Sequence, residues 1–324
     1  MKIALVGDVM LGRLVNDSLK HTPPTQPWGN TIDLLQQADL RICNLECVLS
    51  DIGRPWSMTE KIFHFRSDEK NVESLLAAGI NMVSLANNHV LDYEYDALLR
   101  MLDVLNAHGI TYAGAGKNIS EAAKPALYRS KGYTIGMIAF TDNEPTWEAS
   151  SDKPGVYYVP TIVKDPRAQK LFQTIRELRK EVDLLIISAH WGSNWGYEPP
   201  HAHPPFAHAL IEAGADLIFG HSAHVFRGVE IYKQRPIIYS AGDFIDDYAV
   251  DEIERNDESF LFLLEWEREH NRILHFYPAF NHSMQTDLAN APLSGAILSK
   301  MDRLCQTLGT PITRYPDHAS VSIH

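Results

Sequence analysis

The sequence has few cysteines, no long apolar run and a deficit of positive charge. Its 324 residues include three cysteines, at positions 43, 47 and 305, which are too few for a disulfide framework. Cys43 and Cys47 lack the spacing of a zinc ribbon, so buried free thiols are expected. No stretch approaches the roughly 18 apolar residues of a membrane span, and the first residues lack the apolar region of a signal peptide. These absences predict a cytoplasmic protein without a membrane segment.

The chain carries 29 Lys and Arg residues against 41 Asp and Glu residues, a formal net charge of −12. Nucleic acids and anionic membranes bind basic surfaces, so neither is expected as a partner. A hydrophobic content of 45% with 22% charged residues is typical of a globular protein that can bury a large core. The composition leaves the oligomeric state open.

Short apolar runs alternate with helical segments before residue 221. Buried strands are predicted by the apolar runs at 2–6, 40–45, 80–85, 183–189 and 216–219. Amphipathic segments such as 95–107 and 165–181 predict helices between them. Further short strands follow, and this order predicts one α/β domain over 1–310, in which a second sheet packs on the first. Residues 311–324 are expected to form a tail.

Polar side chains with ligand atoms come directly after these apolar runs. They are Asp8, Glu46, Asn88 with His89, His190, and His221 with His224. Any one of them alone would be read as an ordinary turn, cap or core residue. Because parallel strands end at the same edge of a sheet, residues far apart in sequence converge there. We therefore expect these side chains to form one site.

The residue types indicate which ligand such a site would hold. Carboxylate, carboxamide and imidazole groups suit divalent ions such as Mn²⁺, Fe²⁺ or Zn²⁺. One or two ions are expected, and a pair would activate water near neutral pH and stabilise displacement at phosphorus. Such a reaction also needs a proton donor for the leaving group. His89, next to the proposed ligand Asn88, is the candidate.

An ordered series of motifs between residue 3 and about residue 245 resembles one family. The motifs are Gly7-Asp8-x-Met10-Leu11-Gly12-Arg13, Asn44-Leu45-Glu46, Ala86-Asn87-Asn88-His89-x-x-Asp92, Ala189-His190-Trp191-Gly192, Gly220-His221-x-x-His224-Val225 and Tyr239-Ser240-x-Gly242-x-Phe244. As a set they are similar to the CapA family, the poly-γ-glutamate capsule-synthesis branch of the calcineurin-like metallophosphoesterase superfamily. The resemblance implies a four-layer α/β/β/α sandwich of two mixed sheets, with a dinuclear metal site between the sheets.

The resemblance also implies a role for each site residue. Carried over, Asp8 and His224 bind the first metal, Glu46 bridges, Asn88, His190 and His221 bind the second metal, and His89 is the catalytic acid. Two departures affect the first metal. Met10 stands where the superfamily has a histidine, and His224 comes one residue late. That metal site would be weak, empty, or completed by Asn44 or water, while Asp243, where the family commonly has Asn, adds a nearby carboxylate.

Three further residues have alternative interpretations. Arg13 would bind an anionic group of a substrate through its fork of donors, or serve as a surface residue. Asp92 would orient His89, or cap the following helix. Trp191 would form a wall of the substrate pocket, or pack in the core.

Three functions remain open from the sequence. The first is a metal-dependent phosphoesterase acting on a small molecule. The second uses the same metal site for amide or Cα–H chemistry on a peptide or γ-glutamyl substrate, because a metal-activated water serves several reactions. The third is a non-catalytic component of capsule biosynthesis. The net charge of −12 disfavours a polyanionic partner.

Overall fold

Strands and helices alternate along much of the chain, as the apolar pattern predicts. The structure, a computed structural model, describes residues 1–267 and 272–323. Its strands are β1 (Lys2–Val9), β2 (Leu40–Leu45), β3 (Val48–Leu49), β4 (Arg66–Ser67), β5 (Met82–Ser84), β6 (Thr111–Ala113), β7 (Ala115–Gly116), β8 (Ala126–Ser130), β9 (Tyr133–Thr141), β10 (Gly155–Val156), β11 (Leu184–His190), β12 (Leu217–His221), β13 (Val229–Tyr232), β14 (Arg235–Ile238), β15 (Asp243–Ile245), β16 (Glu258–Glu265), β17 (Arg272–His282), β18 (Gln285–Leu288), β19 (Thr313–Arg314) and β20 (Ala319–Ile323). Its α-helices are α1 (Arg13–Ser18), α2 (Thr31–Leu35), α3 (Val72–Ala77), α4 (Glu94–Ala107), α5 (Ile119–Ala122), α6 (Pro166–Leu178), α7 (His203–Ala213) and α8 (Leu293–Thr307).

The first sheet combines strands from both ends of the chain. Its order is β19-β20-β17-β16-β1-β2-β5-β6. Strands β1, β2, β5 and β6 are parallel, whereas β16 runs antiparallel to β1. Strand β15 pairs in parallel with the end of β1, and β18 pairs with β17. The sheet is therefore mixed.

The second sheet has the order β13-β14-β12-β11-β9-β8. Strands β9, β11, β12 and β14 are parallel, and the edge strands β8 and β13 run antiparallel to their neighbours. In both sheets the candidate ligands lie in the last residues of parallel strands or in the loops that follow them. The parallel arrangement therefore gathers these residues at the strands' carboxyl ends.

The two sheets pack face to face, and helices cover their outer faces. In β1, Leu5 belongs to the core between the sheets and Val6 to the core on the opposite side. In β11, Ile186 belongs to the central core and Ile187 to the outer one. Helices α2, α3 and α4 cover the first sheet, while α6 and α7 cover the second. The predicted four-layer α/β/β/α sandwich of two mixed sheets is confirmed.

The C-terminal residues form part of the first sheet. Residues 313–314 and 319–323 are strands β19 and β20, and β20 pairs with β17. Val321 and Ile323 are buried in the core between the sheets because alternate residues of β20 face inward. The expected tail at 311–324 is therefore wrong for the described residues; His324 lies outside them.

The expectation of buried free thiols is confirmed. Cys43, Cys47 and Cys305 are free and buried, and burial raises the pKa of the Cys47 and Cys305 thiols to about 12. Within 1–267 and 272–323, no helix has the length and apolarity needed to cross a membrane.

Candidate metal centre

Strand register brings distant ligand residues side by side at one end of each sheet. In the first sheet Asp8 of β1 lies between Asn44 of β2 and Asp243 of β15. In the second sheet His190 of β11 lies directly opposite His221 of β12. The two rows meet between the sheets, where Asp8 Oδ1 is 3.7 Å from His221 Nδ1.

Asp8, His190 and His221 form the first of two groups of converging ligand atoms, which we call the imidazole group. One ligand atom from each lies within 4.8 Å of the others, and all three side chains are buried. The Nδ1 atoms of the two histidines are 2.9 Å apart. On the opposite side of the His190 ring, Nε2 is 3.0 Å from Asn88 Oδ1, so Asn88 also contacts this histidine.

Burial determines the protonation of these imidazoles. It lowers the pKa of His221 to about 3, and burial together with the neighbouring His221 lowers the pKa of His190 well below its usual value. Both rings are therefore neutral at pH 7. Neutral imidazole is the form that binds a metal ion.

Asp8, Glu46 and Asp243 form the second group, which we call the carboxylate group. Their ligand oxygens also lie within 4.8 Å of one another. Asp8 therefore belongs to both groups, whereas Glu46, which was expected to bridge the two metals, belongs only to the second. Burial and the neighbouring carboxylates raise the pKa values of Glu46 and Asp243 well above normal, and burial raises that of Asp8 to about 6. At such separations two carboxylates repel by roughly 3–4 kcal/mol with an effective dielectric constant of about 20.

The residues fit divalent metal ions. Glu46 is 2% exposed, and its Oε2 has no hydrogen-bond partner among the described residues. A buried, unpaired carboxylate oxygen is costly unless a cation engages it. Carboxylate, amide and neutral imidazole donors together suit Mn²⁺, Fe²⁺ or Zn²⁺. Asp8, Glu46, Asn88, His190 and His221, all expected as ligands, therefore lie together.

Asn87 holds the turn that presents Asn88 and His89. Its side-chain amide donates to Asn44 Oδ1 at 3.0 Å and to the Leu45 carbonyl at 2.8 Å. Its Oδ1 accepts the backbone N–H of His89 at 3.0 Å. A fully buried amide thus ties this turn to the end of β2.

His89 lies next to the carboxylate group with its ring fixed on two sides. Its Nδ1 is 2.6 Å from Asp92 Oδ2, and its Nε2 is 3.9 Å from Glu46 Oε1. The Phe65 ring stacks on the imidazole at a centroid distance of 3.9 Å, and the Phe65 N–H donates to Asp92. Burial, with the nearby charge of Lys61, lowers the pKa of His89 well below its usual value.

Lys61 is a site residue that sequence reasoning missed. Its side chain is only 8% exposed, and its Nζ donates to the Asn88 carbonyl at 2.8 Å. The same Nζ lies 3.4 Å from Asp92 Oδ1 and 3.4 Å from Glu144 Oε1. The long loop before β4 has no periodic pattern, so no sequence signal distinguishes Lys61 from its other charged residues.

A cavity of about 620 Å³ opens beside His89. Its lining includes Arg13, Lys61, Phe65, Asn88, Trp195 and Tyr248. Arg13 Nε is 3.2 Å from Asp247 Oδ2, so this guanidinium is already paired with a carboxylate. The two cations of the wall are balanced by acids, and the rest of the lining mixes aromatic and polar side chains.

Two predicted residues have different surroundings from those expected. Trp191 is fully buried, stacks on His203 and donates its indole N–H to the Tyr239 carbonyl. It is a core residue, and the prediction that it walls the substrate pocket is wrong. His224 belongs to neither converging group; its Nδ1 lies 3.0 Å from Asp243 Oδ1.

Comparison with known sequences gives one family match and several relatives. The sequence model described as "Bacterial capsule synthesis protein PGA_cap" matches residues 2–248. A "Probable polyglutamine synthesis accessory protein" of Mycobacterium tuberculosis is 31% identical over 284 residues, covering 76% of this chain and 74% of that protein. The "Capsule biosynthesis protein CapA" of Bacillus anthracis is 26% identical over 249 residues, covering 76% of this chain and 60% of that protein.

Solved structures show a more distant likeness. A crystal structure of the calcineurin-like phosphoesterase YfkN from Bacillus subtilis aligns with a TM-score of 0.43 and 12% identity, covering 95% of this chain and 98% of that one. A hypothetical protein from Thermus thermophilus aligns with a TM-score of 0.46 and 12% identity, covering 89% of this chain and 96% of the other.

Proposed function

We propose that this chain, which belongs to the bacterial capsule synthesis protein family PGA_cap, is a metal-dependent hydrolase acting on a phosphoester. The observation that carries the proposal is the convergence of Asp8, His190 and His221 next to a second group of carboxylates. A divalent ion held by these residues would lower the pKa of bound water and stabilise negative charge on phosphoryl oxygens. The chain's own residues must then hold the substrate and move the proton.

His89 is placed to donate a proton to the leaving group. With Nδ1 hydrogen-bonded to Asp92, its Nε2 faces the cavity and the carboxylate group. The stacked Phe65 ring prevents the imidazole from turning. Burial opposes the charged imidazole, but an anionic phosphoryl group bound beside the ring favours it. His89 is therefore the general acid in this proposal, and Asp92 positions it.

Arg13 and Lys61 are the cations nearest the phosphoryl group in this proposal. Both line the cavity, and each is paired with a carboxylate, Asp247 for Arg13 and Asp92 for Lys61. Their pairing fixes the two side chains but reduces their net attraction for anions. This balance favours a small substrate with one phosphoryl group over a polymer that carries many charges.

A second candidate is hydrolysis or transfer at a γ-glutamyl or peptide amide. The names of the relatives, which refer to polyglutamine synthesis and capsule biosynthesis, favour it. The same metal centre would polarise an amide carbonyl, with His89 protonating the departing amine. The neutral cavity wall counts against long polyanionic chains but not against short γ-glutamyl compounds.

The test is turnover by protein reconstituted with Mn²⁺. A panel of phosphomonoesters and phosphodiesters is compared with γ-glutamyl and peptide amides. We expect phosphoester turnover that His89→Gln lowers by roughly 10²–10⁴-fold. Elemental analysis should give the same metal content for both proteins.

His208→Gln is the matched control, because His208 pairs with Glu230 and stacks on Tyr232 outside the site. It should keep full activity. Turnover of amides but not phosphoesters would select the second candidate. A metal-loaded protein that turns over neither class would contradict both.

A further inference from the structure

Asp243 lies beside Asp8 because the backbones of β15 and β1 approach closely. The register pairs these two residues, and the Asp8 N–H donates to the Gly242 carbonyl at 3.0 Å. A Cβ on Gly7 would lie 1.8 Å from that carbonyl oxygen, and Gly242 has a φ of +77°. Both positions therefore require glycine. The two Gly-Asp pairs of the sequence thus bring two carboxylates to one point.

His224 contacts Asp243 instead of converging on the carboxylate group. Its Nδ1 lies 3.0 and 3.1 Å from the two oxygens of Asp243, and its Nε2 is 3.2 Å from the Asn194 side-chain amide. Within 1–267 and 272–323, the two converging groups contain Asp243 but not His224. His224 is therefore placed as a hydrogen-bond partner of Asp243.

Glu46 gives an independent indication of a cation in this group. It is 2% exposed, lies within the convergence distance of Asp8 and Asp243, and keeps an Oε2 without a hydrogen-bond partner among the described residues. No Lys or Arg of residues 1–267 and 272–323 forms an ion pair with any of the three acids. Among the described residues these acids therefore have no Lys or Arg partner to offset their negative charge when they are ionised.

We infer that Asp243, together with Asp8 and Glu46, holds the first metal ion in this chain, and that His224 orients Asp243 from outside the coordination shell. The inference rests on the metal centre of the proposed function and deepens it. Asp243 supplies a ligand atom in place of the histidine that Met10 replaces. Three carboxylates form a set of hard oxygen donors that favours Mn²⁺ or Mg²⁺, whereas the imidazole group also suits Zn²⁺.

Mn²⁺ binding to the purified full chain tests this assignment. Ions per chain and affinities are measured by titration calorimetry and elemental analysis, and electron paramagnetic resonance reports whether two Mn²⁺ ions are coupled. Wild type should bind two coupled ions, and Asp243→Asn should bind one. His224→Gln should still bind two at saturation, with the weaker ion bound roughly 10–100-fold less tightly.

Asp246→Asn is the matched control. Asp246 is a buried carboxylate of the same segment, but it already accepts from the Tyr248 N–H and the Asn281 amide at 2.7 Å each. The Asp246→Asn variant should bind two ions, as wild type does. Circular dichroism checks that each variant is folded, and if Asp243→Asn does not fold, the His224→Gln stoichiometry decides alone.

Two results would overturn the inference. One is loss of an ion in His224→Gln while Asp243→Asn keeps two, which would return the ligand role to His224. The other is a single ion in saturated wild type, which would leave a one-metal hydrolase intact. Conversely, two coupled ions with the expected variant pattern but no phosphoester turnover would support the inference and reject the proposed function.

Discussion

Ser188→Ala should weaken metal binding although it removes no ligand. Ser188 Oγ lies 2.7 Å from His221 Nε2, and both side chains are fully buried. On the other side of the ring, His221 Nδ1 faces Asp8 Oδ1 at 3.7 Å and His190 Nδ1 at 2.9 Å. When Nε2–H donates to Ser188, Nδ1 keeps its lone pair toward the ligands. As acceptor of this N–H, the Ser188 hydroxyl stabilises the tautomer that binds an ion.

The size of the effect follows from that one hydrogen bond. Without the hydroxyl, the Nε2–H of His221 is a buried donor that has lost its partner, at a cost of about 1–3 kcal/mol. The His221 tautomer with its proton on Nδ1, which cannot bind a metal ion through that atom, then becomes more populated. Loss of such an outer partner typically weakens metal affinity ~10–100-fold, which corresponds to about 1.4–2.7 kcal/mol. The two estimates agree.

Zn²⁺ titration of the metal-free protein measures the change. Ser188→Ala should raise the Kd for Zn²⁺ ~10–100-fold and leave the number of ions at saturation unchanged. Ser74→Ala is the matched control, because Ser74 is also a fully buried serine and its Oγ donates to the Pro24 carbonyl at 2.8 Å. It should lower thermal stability without changing Zn²⁺ affinity. Equal Zn²⁺ affinity for Ser188→Ala and wild type would refute the argument.

Two further predictions concern a lysine and a buried histidine. Lys61→Met should lower kcat roughly 10–100-fold with unchanged metal content, because Lys61 contacts the Asn88 carbonyl and Asp92. Steady-state kinetics with elemental analysis checks this prediction, and loss of metal from the variant would contradict it. Burial, with nearby Arg227, lowers the pKa of His203 to about 3, so the folded state loses stability as pH falls below the unfolded pKa of 6.5. His203→Phe should therefore remove roughly 2–3 kcal/mol of the stability lost between pH 7 and pH 4.5, as measured by denaturant unfolding at both pH values; an unchanged pH dependence would refute it.

Local sequence patterns predicted the layers of the fold but not the membership of each sheet. Apolar runs located β1, β2, β5, β11 and β12, and the motif series identified the family correctly. The strands after residue 221 were expected to form a second sheet. Strands β16 and β17 instead join the first sheet, where β16 lies next to β1 and β17 next to β16. Pairing between such distant strands depends on long-range packing, which the local alternation of residues does not contain.

The C-terminal strand was missed for a different reason. Residues 319–323 alternate small or apolar residues with serine, and Val321 and Ile323 are buried. That period-two pattern was present in the sequence. Its shortness and its position at the end of the chain made it resemble a tail, and only pairing with β17 gives it a defined structure.

In the site, motifs predicted which residues meet but not how each one is used. Asp8, Asn88, His190 and His221 converge as expected, because strand ends are a property of the fold. His224 contacts Asp243 and belongs to neither group of converging ligand atoms, and it comes one residue later after His221 than the superfamily pattern implies. A shift of that size redirects a side chain without changing the motif's appearance in sequence.

The buried carboxylates at this end of the two sheets make metal binding depend on their protonation. Burial raises the pKa of Asp8 to about 6, and burial with neighbouring acids raises the pKa of Asp243 well above its usual value. Protons therefore compete with metal for these oxygens near neutral pH, and a bound ion favours the deprotonated form. Gly7 and Gly242 permit the close approach of β15 to β1, which places the side chain at position 243 beside Asp8. The residue type at position 243 therefore decides whether a second carboxylate lies beside Asp8 at this point.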